Sequence, residues 1–558
     1  MNILGISFSM HESAACLVQD GKLVFACAEE RLSKLKQDAS FPALAIQAAL
    51  DFAGITAADV DHVAIAWDRP GRAEWHTMKL LLTGQFPLSR MRLERTVMSL
   101  VQGRRHRGGL RKYTHRFSSP NAKLHFVNHH LAHAYSALAP SGYRDAAILV
   151  IDGRGASEAT TLWHAKDGHV SKVGEYRYPD SLGVFYAGIT AMLGFKPLSD
   201  EWKVMGLAAY GRPTYNLGEL IKVNENDCKV EGWKFFGRSD DDLGKLEQVL
   251  GPRRDPNAIT QDNKDLASSA QAACEQAMLA LLRRVTEQTG ERKLCLAGGV
   301  ALNCKANGEL LRSGLIDEIY VQPAAGDDGA CIGAAYRIHE QVTGSLPYVR
   351  DENSYLGTEH GDDEVESVLK TYKLSYYRKN DPSQEAARLL ADGNLIGWFQ
   401  GRMEFGPRAL GNRSILSDPR FAENRDKVNA AVKFRENWRP FAPSVLEEKA
   451  PIYFQDFRHS PHMILSFWAT EEGKRLIPAV VHVDGSCRVQ SVTRESNLRY
   501  YELIKQFGEM TGVYAVMNTS FNLKGDAIVE SPKDAIQTFF TSGLDHLVIG
   551  SFIVSKKS

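Results

Sequence analysis

Residues 3–31 read ILGISFSMHESAACLVQDGKLVFACAEER, and residues 147–178 read AILVIDGRGASEATTLWHAKDGHVSKVGEYRY. Each stretch has an apolar strand ending in a Gly/Ser/Asp turn, a second strand, an Asp-Gly pair and a third strand. Asp20-Gly21 and Asp167-Gly168 are hairpin signals, because a two-residue turn that follows strand twist needs positive φ at both positions. Aligning the two hairpins sets Gly5 opposite Asp152 and Ser7 opposite Arg154. Two copies of one strand–turn–strand unit at domain-sized separation predict a duplicated, two-lobed α/β domain.

The rest of the chain extends that pattern. LAIQAALDFAG (44–54) follows the first unit as a helix, and LASSAQAACEQAMLALLRRVTEQTG (266–290) is a long amphipathic helix followed by the strand KLCLAGGV (293–300). EIYVQP (318–323) is a further strand, and AGDDGACIGAAYRIHEQVTG (325–344) is a Gly/Asp turn leading into a helix. Strands and helices in alternation indicate α/β lobes. Residues 345–380 are polar and acidic, and a new unit starts beyond them. The expected domains are therefore 1–350 and 351–558.

Composition narrows the function. Over 558 residues, 67 Lys+Arg balance 67 Asp+Glu. A chain without net charge has no bulk attraction to nucleic acid or anionic lipid, so neither nucleic acid nor a membrane is expected as a partner, and any anionic partner would need a local basic site. No apolar run approaches the roughly 18 residues of a membrane span. The N-terminus lacks the features of a signal peptide. The eight Cys are scattered without a C-x-x-C pair, which suits reduced, buried thiols and a cytoplasmic enzyme. Residues 88–116 are strongly basic and read first as a solvated insertion, with a phosphate or substrate contact as the alternative.

Two regions carry candidate chemistry. In VNHHLAHAYSALA (127–139), His129 and His133 are spaced i, i+4 and share one helix face, as a metal-binding pair or a structural pair would. Asp152 ends a strongly apolar strand, and Asp327 sits in a Gly-flanked turn. Two His and two Asp make a mixed nitrogen/oxygen donor set suited to Fe²⁺, Mn²⁺ or Zn²⁺. His130 reads either as a residue supporting the ligands or as a packing neighbour. Gly298, Gly299 and Asn303 in GGVALN follow a strand and open a helix, where backbone amides can approach a nucleotide. His11 lies in the first turn, placed either as a general base or as a capping residue. In the second half, nine basic residues against five acidic ones between 401 and 440, with Gly401, Gly406 and Gly411 among them, suggest an anion site.

With the duplicated hairpins, the Gly-rich turns describe the ATPase fold of actin, sugar kinases and heat-shock chaperones. The chain as a whole resembles the O-carbamoyltransferases of natural-product and nodulation-factor biosynthesis, including the tobramycin and cephamycin enzymes. The motifs, in the family's order, include SFSMHESAA, EERLSKLKQDASFP, VNHHLAHAYSA, DGRG, EWKVMGLAAYG, GGVALN, GDDGACIGAA, GRMEFGPRALGNRSIL, KFRENWRPFAPSVL and NTSFNLKGDAIVESP. The resemblance implies an actin-like, threonylcarbamoyl-tRNA-transferase-like domain fused to a YrdC-like α/β domain. It implies that the second domain makes carbamoyl-adenylate from carbamoyl phosphate and ATP, and that the first passes the carbamoyl group to the hydroxyl of a small natural product. It places metal ligands at His129, His133, Asp152 and Asp327, with Fe²⁺ the leading expectation and Zn²⁺ or Mn²⁺ the alternatives. It places catalytic residues at His11 and Lys36, with Lys34 the nearby alternative to the latter, and substrate contacts at Arg408, Lys433, Arg439, Arg488 and Ser520. A homodimer is compatible with it. A tRNA threonylcarbamoyl transferase shares the first fold and the metal site, and the neutral charge and fused C-terminal half argue against it; an actin-type ATPase module shares the fold alone, and the His-x-x-x-His pair and the Arg-rich second domain argue against that.

Overall fold

The computed structural model describes residues 1–8, 12–68, 76, 79, 119, 122–235, 243–433, 436 and 438–556. His11 and the basic segment 88–116 lie outside the described residues. The chain separates into two compact units: Met1–Glu29 with Ala39–Asp351, and Glu30–Asp38 with Glu352–Ser558.

The first unit holds two sheets of five strands. One contains β1 (Asn2–Ser7), β2 (Ala14–Gln19), β3 (Lys22–Ala28), β4 (His62–Ile65) and β5 (Lys123–Phe126), in the order β3-β2-β1-β4-β5. The other contains β6 (Ala146–Ile151), β7 (Glu158–Lys166) and β8 (His169–Arg177), joined after the short β9–β10 hairpin (Ile221–Val223, Cys228–Val230) by β11 (Lys293–Ala297) and β12 (Glu318–Val321). Its order is β12-β11-β6-β7-β8. The two orders are the same topology, with β1 and β6 central: each pairs antiparallel with its hairpin partner on one side and parallel with a later strand on the other. The duplication expected from the hairpins is thus present in the strand order.

Both hairpin turns have the positive φ that the Asp-Gly pairs signalled: 48° and 82° at Asp20 and Gly21, 50° and 81° at Asp167 and Gly168. The residue equivalence drawn through them needs correction upstream. β2 has six residues and β7 nine, so an alignment fixed at the turns slips by three at the preceding strand. Asp152 comes one residue after β6, as Phe8 comes one after β1; Gly5 lies inside its strand.

β6 is buried along its whole length, and β1 everywhere except Asn2, so both read as continuous apolar runs rather than alternating ones. Among the helices of the described residues are α1 (Ala43–Ala53), α2 (His129–Ser141), α3 (Gln261–Thr289), α4 (Cys304–Arg312) and α5 (Ala330–Thr343). α3 starts five residues before the apolar periodicity does, because Thr260 and Asn263 form a reciprocal capping box that recruits a polar first turn. All eight Cys are buried and unbridged. Among the described residues no helix is long and apolar enough to cross a membrane.

The second unit is built on a mixed eight-stranded sheet. β13 (Tyr376–Arg378), β14 (Ile396–Phe399), β15 (Arg413–Ser417), β16 (Ala442–Leu446), β19 (Gln490–Val492), β20 (Ala515–Ser520), β21 (His546–Ile549) and β22 (Phe552–Ser555) run in the order β13-β22-β21-β14-β15-β20-β16-β19. β17 (Ser466–Trp468) and β18 (Ser486–Arg488) form a separate pair. The connection between β14 and β15 spans residues 400–412 and contains the Gly-Arg motif.

Candidate functional site

α2 begins where Asn128 caps it, its side chain accepting the Leu131 N–H at 3.0 Å. The cap residue is held in turn by Asp68, whose two carboxylate oxygens accept from Asn128 Nδ2 at 3.2 and 3.0 Å. His129 and His133 therefore occupy the first two turns of a fixed helix, and both rings are buried. Asp152 leaves the end of β6, and Asp327 opens the turn after β12 that feeds α5.

The approach of α5 to α2 depends on small residues. A methyl group at Gly333 would lie 1.7 Å from the Ala132 carbonyl oxygen, so the two backbones are closer than any side chain permits. Ala132, Ala134 and Ala137 on α2 and Ala330, Ala334 and Ala335 on α5 are all fully buried. This packing carries Asp327, three residues ahead of α5, to the two imidazoles.

The four expected metal ligands converge. His129 Nε2 lies 3.2 Å from His133 Nε2, 3.3 Å from Asp327 Oδ1 and 3.4 Å from Asp152 Oδ2, and His133 Nε2 lies 3.5 Å from Asp327 Oδ1. One donor atom from each residue falls within 4.8 Å of all the others. Tetrahedral donors bonded to one cation at about 2.1 Å stand about 3.4 Å apart, so these separations fit a single divalent ion. The His129 ring is oriented by its other nitrogen: Nδ1 meets the Ala66 carbonyl at 3.2 Å, which turns Nε2 toward the carboxylates. Asp152 Oδ1 accepts the Gly299 N–H at 3.1 Å, leaving Oδ2 toward His129.

Electrostatics agree with a cation site. Burial disfavours charge on His129, yet the carboxylates of Asp327 and Asp152 outweigh it and hold the imidazole well above its ordinary pKa. Burial also opposes ionisation of both aspartates, but hydrogen bonding and charge from His129, with His133 contributing, keep both well below the usual carboxylate range. A proton on His129 thus occupies the place between the carboxylates that a metal ion would take, and metal binding would release it. His130 differs: burial and the neighbouring charge of His129 push it down to about 3, and its Nδ1 meets Thr161 Oγ1 at 3.0 Å. It belongs to the packing around the site.

Of the GGVALN residues, one contacts this cluster directly. Gly299 holds Asp152 through its amide. The Asn303 side chain caps α4, accepting the Ala306 N–H at 3.1 Å, and exchanges two hydrogen bonds with Gln271 at 3.0 and 3.1 Å. Gly298, at a φ of 92°, makes the tight turn out of β11.

In the second unit, Lys433 and Ser520 come together. Lys433 Nζ donates to the Ser520 carbonyl at 2.5 Å and to Asn522 Oδ1 at 2.8 Å, and lies 3.3 Å from Ser520 Oγ. Arg439 is half-buried, 3.7 Å from Glu436, and Arg488 lies opposite Ser466 in the β17–β18 pair. Lys36 is exposed on the segment 30–38, whereas Lys34 Nζ pairs with Asp534 and donates to the Arg31 carbonyl at 2.7 Å. The charge count over 401–440 overstated the number of arginines directed at a ligand. Arg402 donates to the Gly357 and Leu356 carbonyls at 3.1 and 2.6 Å, Arg420 grips Asp418 at 2.7 Å, and Arg413 is fully buried beneath the Gly-Arg loop. Spacing alone cannot separate a guanidinium that supports backbone from one that meets a ligand.

Two sequence families match this chain. The pattern described as Carbamoyltransferase N-terminus covers residues 2–336, and that described as Carbamoyltransferase C-terminus covers 387–556. The chain is 39% identical over 557 residues to nodulation protein NolNO of Sinorhizobium fredii, covering 98% of this chain and 79% of that one. It is 41% identical over 438 residues to nodulation protein NolO of Bradyrhizobium diazoefficiens, covering 77% and 79%. An uncharacterized protein of Synechocystis sp. is 39% identical over 601 residues, covering 100% and 97%.

Proposed function

Because the chain belongs to the carbamoyltransferase family, matched in both its N- and C-terminal parts, we propose that it is an ATP-dependent O-carbamoyltransferase working through two half-reactions. The second unit, which we read as YrdC-like, forms carbamoyl-adenylate; the first, which we read as actin-like, transfers the carbamoyl group to the hydroxyl of a small natural product. The observation that carries the reading is the buried convergence of two imidazole nitrogens and two carboxylate oxygens within 4.8 Å.

The first half-reaction balances as follows. Carbamoyl phosphate and water give carbamate and phosphate; a carbamate oxygen then attacks the α-phosphorus of ATP, and pyrophosphate leaves. Arg408, Lys433, Arg439, Arg488 and Ser520 are the residues we assign to these anions. Arg408 meets the phosphoryl group of carbamoyl phosphate, where a fixed positive charge stabilises the departing phosphate and a closed site keeps carbamate from bulk water. In the second half-reaction the acceptor hydroxyl attacks the carbamoyl carbon and AMP leaves. His11 accepts the hydroxyl proton, and Lys36 assists with charge on the adenylate. His129, His133, Asp152 and Asp327 would hold a divalent ion, Fe²⁺ ahead of Zn²⁺ or Mn²⁺, which supplies Lewis-acid polarisation of the carbamoyl-adenylate. Gly299 and Ala66 keep two of those ligands turned toward it.

The test is a mass-spectrometric screen of candidate alcohols with enzyme, ATP and carbamoyl phosphate. The expected product carries one added carbamoyl group, requires both co-substrates, and accumulates with AMP. Carbamoylation that proceeds without ATP would overturn the two-step reading.

A further inference from the structure

The loop 400–412, between β14 and β15, is held by two buried side chains of opposite charge, Glu404 and Arg413. Glu404 is 4% exposed and Arg413 is fully buried. One oxygen of Glu404, Oε1, accepts three backbone amides: those of Leu410 at 2.7 Å, Asn412 at 2.8 Å and Arg413 at 3.1 Å. Three convergent amides form the kind of concave nest that binds an anion. Here the anion is the protein's own carboxylate.

Arg413 does the converse. Its Nη1 donates to the carbonyls of Gln400 at 2.7 Å and of Gly401 and Asn412 at 3.1 Å. Its guanidinium lies 3.7 Å over the Phe399 ring, the residue directly opposite it on β14. Burial lowers its pKa only to about 10, so it remains charged at neutral pH. Glu404 therefore gathers the loop's amides, while Arg413 gathers its carbonyls.

Other contacts complete the clamp. The Trp398 indole donates to the Gly411 carbonyl at 2.7 Å, and Tyr355 and Gln490 donate to the Leu410 carbonyl at 2.8 and 2.7 Å. Gly411 adopts a φ of 106°, and a methyl there would lie 2.2 Å from Tyr500. Both ends of the loop are thus fixed, and its tip is Gly406-Pro407-Arg408. The tip has its own tether, since Arg31 Nη2 donates to the Gly406 carbonyl at 3.0 Å.

We propose that Glu404 and Arg413 are positioning residues for carbamoyl phosphate recognition: they shape the loop that presents Arg408, and neither touches the ligand. The inference rests on the assignment of Arg408 to the phosphoryl group. A pre-shaped loop spares the ligand the cost of ordering it, so damage to the frame appears chiefly as weaker binding. Small displacements of such a residue cost about 10- to 100-fold.

The experiment compares Glu404→Ala with Glu404→Gln in carbamoyl-phosphate-dependent pyrophosphate release. Gln keeps an acceptor oxygen for the three amides and serves as the folded reference should the Ala variant be unstable. The expected result is a KM for carbamoyl phosphate raised about 10- to 100-fold in Glu404→Ala, with kcat much less affected, and substantial recovery in Glu404→Gln. Arg413→Lys, which retains a donor, is expected to raise the same KM. The proposal is overturned if folded Glu404→Ala keeps the wild-type KM, if Arg413→Lys does so where the Ala variant does not fold, or if kcat and both substrates' KM values worsen together without recovery in Gln. Wild-type enzyme that releases no pyrophosphate with carbamoyl phosphate would instead refute the functional reading, before any variant is compared.

Discussion

Asp327 joins geometry and charge in one side chain. Its Oδ1 faces both imidazoles, and its backbone carbonyl accepts Ser7 Oγ at 2.5 Å, so the carboxylate is anchored through its own main chain. Asp327→Asn keeps the shape but removes the charge that His129 and a divalent ion both answer to. The expected outcome is metal affinity reduced at least about 10- to 100-fold, measured as metal per chain by elemental analysis after dialysis, with secondary structure unchanged by circular dichroism. Full metal retention would show that the four residues do not form the centre. At this scale the sequence was informative where chemistry has a signature: a His pair at i, i+4, an aspartate ending an apolar strand and another in a Gly-flanked turn pointed to four residues whose donor atoms do meet. It was silent on Glu404 and Arg413, because a carboxylate that binds amides and a guanidinium that binds carbonyls leave no spacing rule. The Gly-Arg motif drew attention to the right loop while hiding which arginine supports it.

At the scale of elements, the site depends on how closely α2 and α5 approach. Gly333→Ala would place a methyl against the Ala132 carbonyl, and neither backbone can yield without moving a ligand. The expected cost is about 3 kcal/mol of stability, from overpacking of a close-packed interface, read by chemical denaturation, together with reduced metal content. A variant with native stability and full metal would mean that the helices can separate without moving the ligands. The hairpins were legible because Asp-Gly turns have a local conformational cause. The longer β7 was not, since nothing local marks where a strand stops pairing, and this displaced the residue equivalence of Asp152. α3 likewise begins earlier than its apolar stripe, at a cap rather than at a hydrophobic residue.

At the scale of the whole molecule, a neutral charge balance concealed a local excess, nine basic residues against five acidic ones between 401 and 440. The repeat in the sequence appears as two sheets of identical strand order. The grouping of Glu30–Asp38 with the second unit was not legible, because chain order assigns that segment to the first. On the proposed mechanism the two units divide one reaction, with adenylation independent of the four-residue His/Asp cluster. The most direct measurement is carbamoyl-phosphate-dependent exchange of labelled pyrophosphate into ATP, in wild-type enzyme and in a His129→Ala/His133→Ala variant. Exchange is expected in both, with carbamoyl transfer to acceptor lost in the variant alone. Exchange that needs no carbamoyl phosphate, or that disappears with the two histidines, would contradict it.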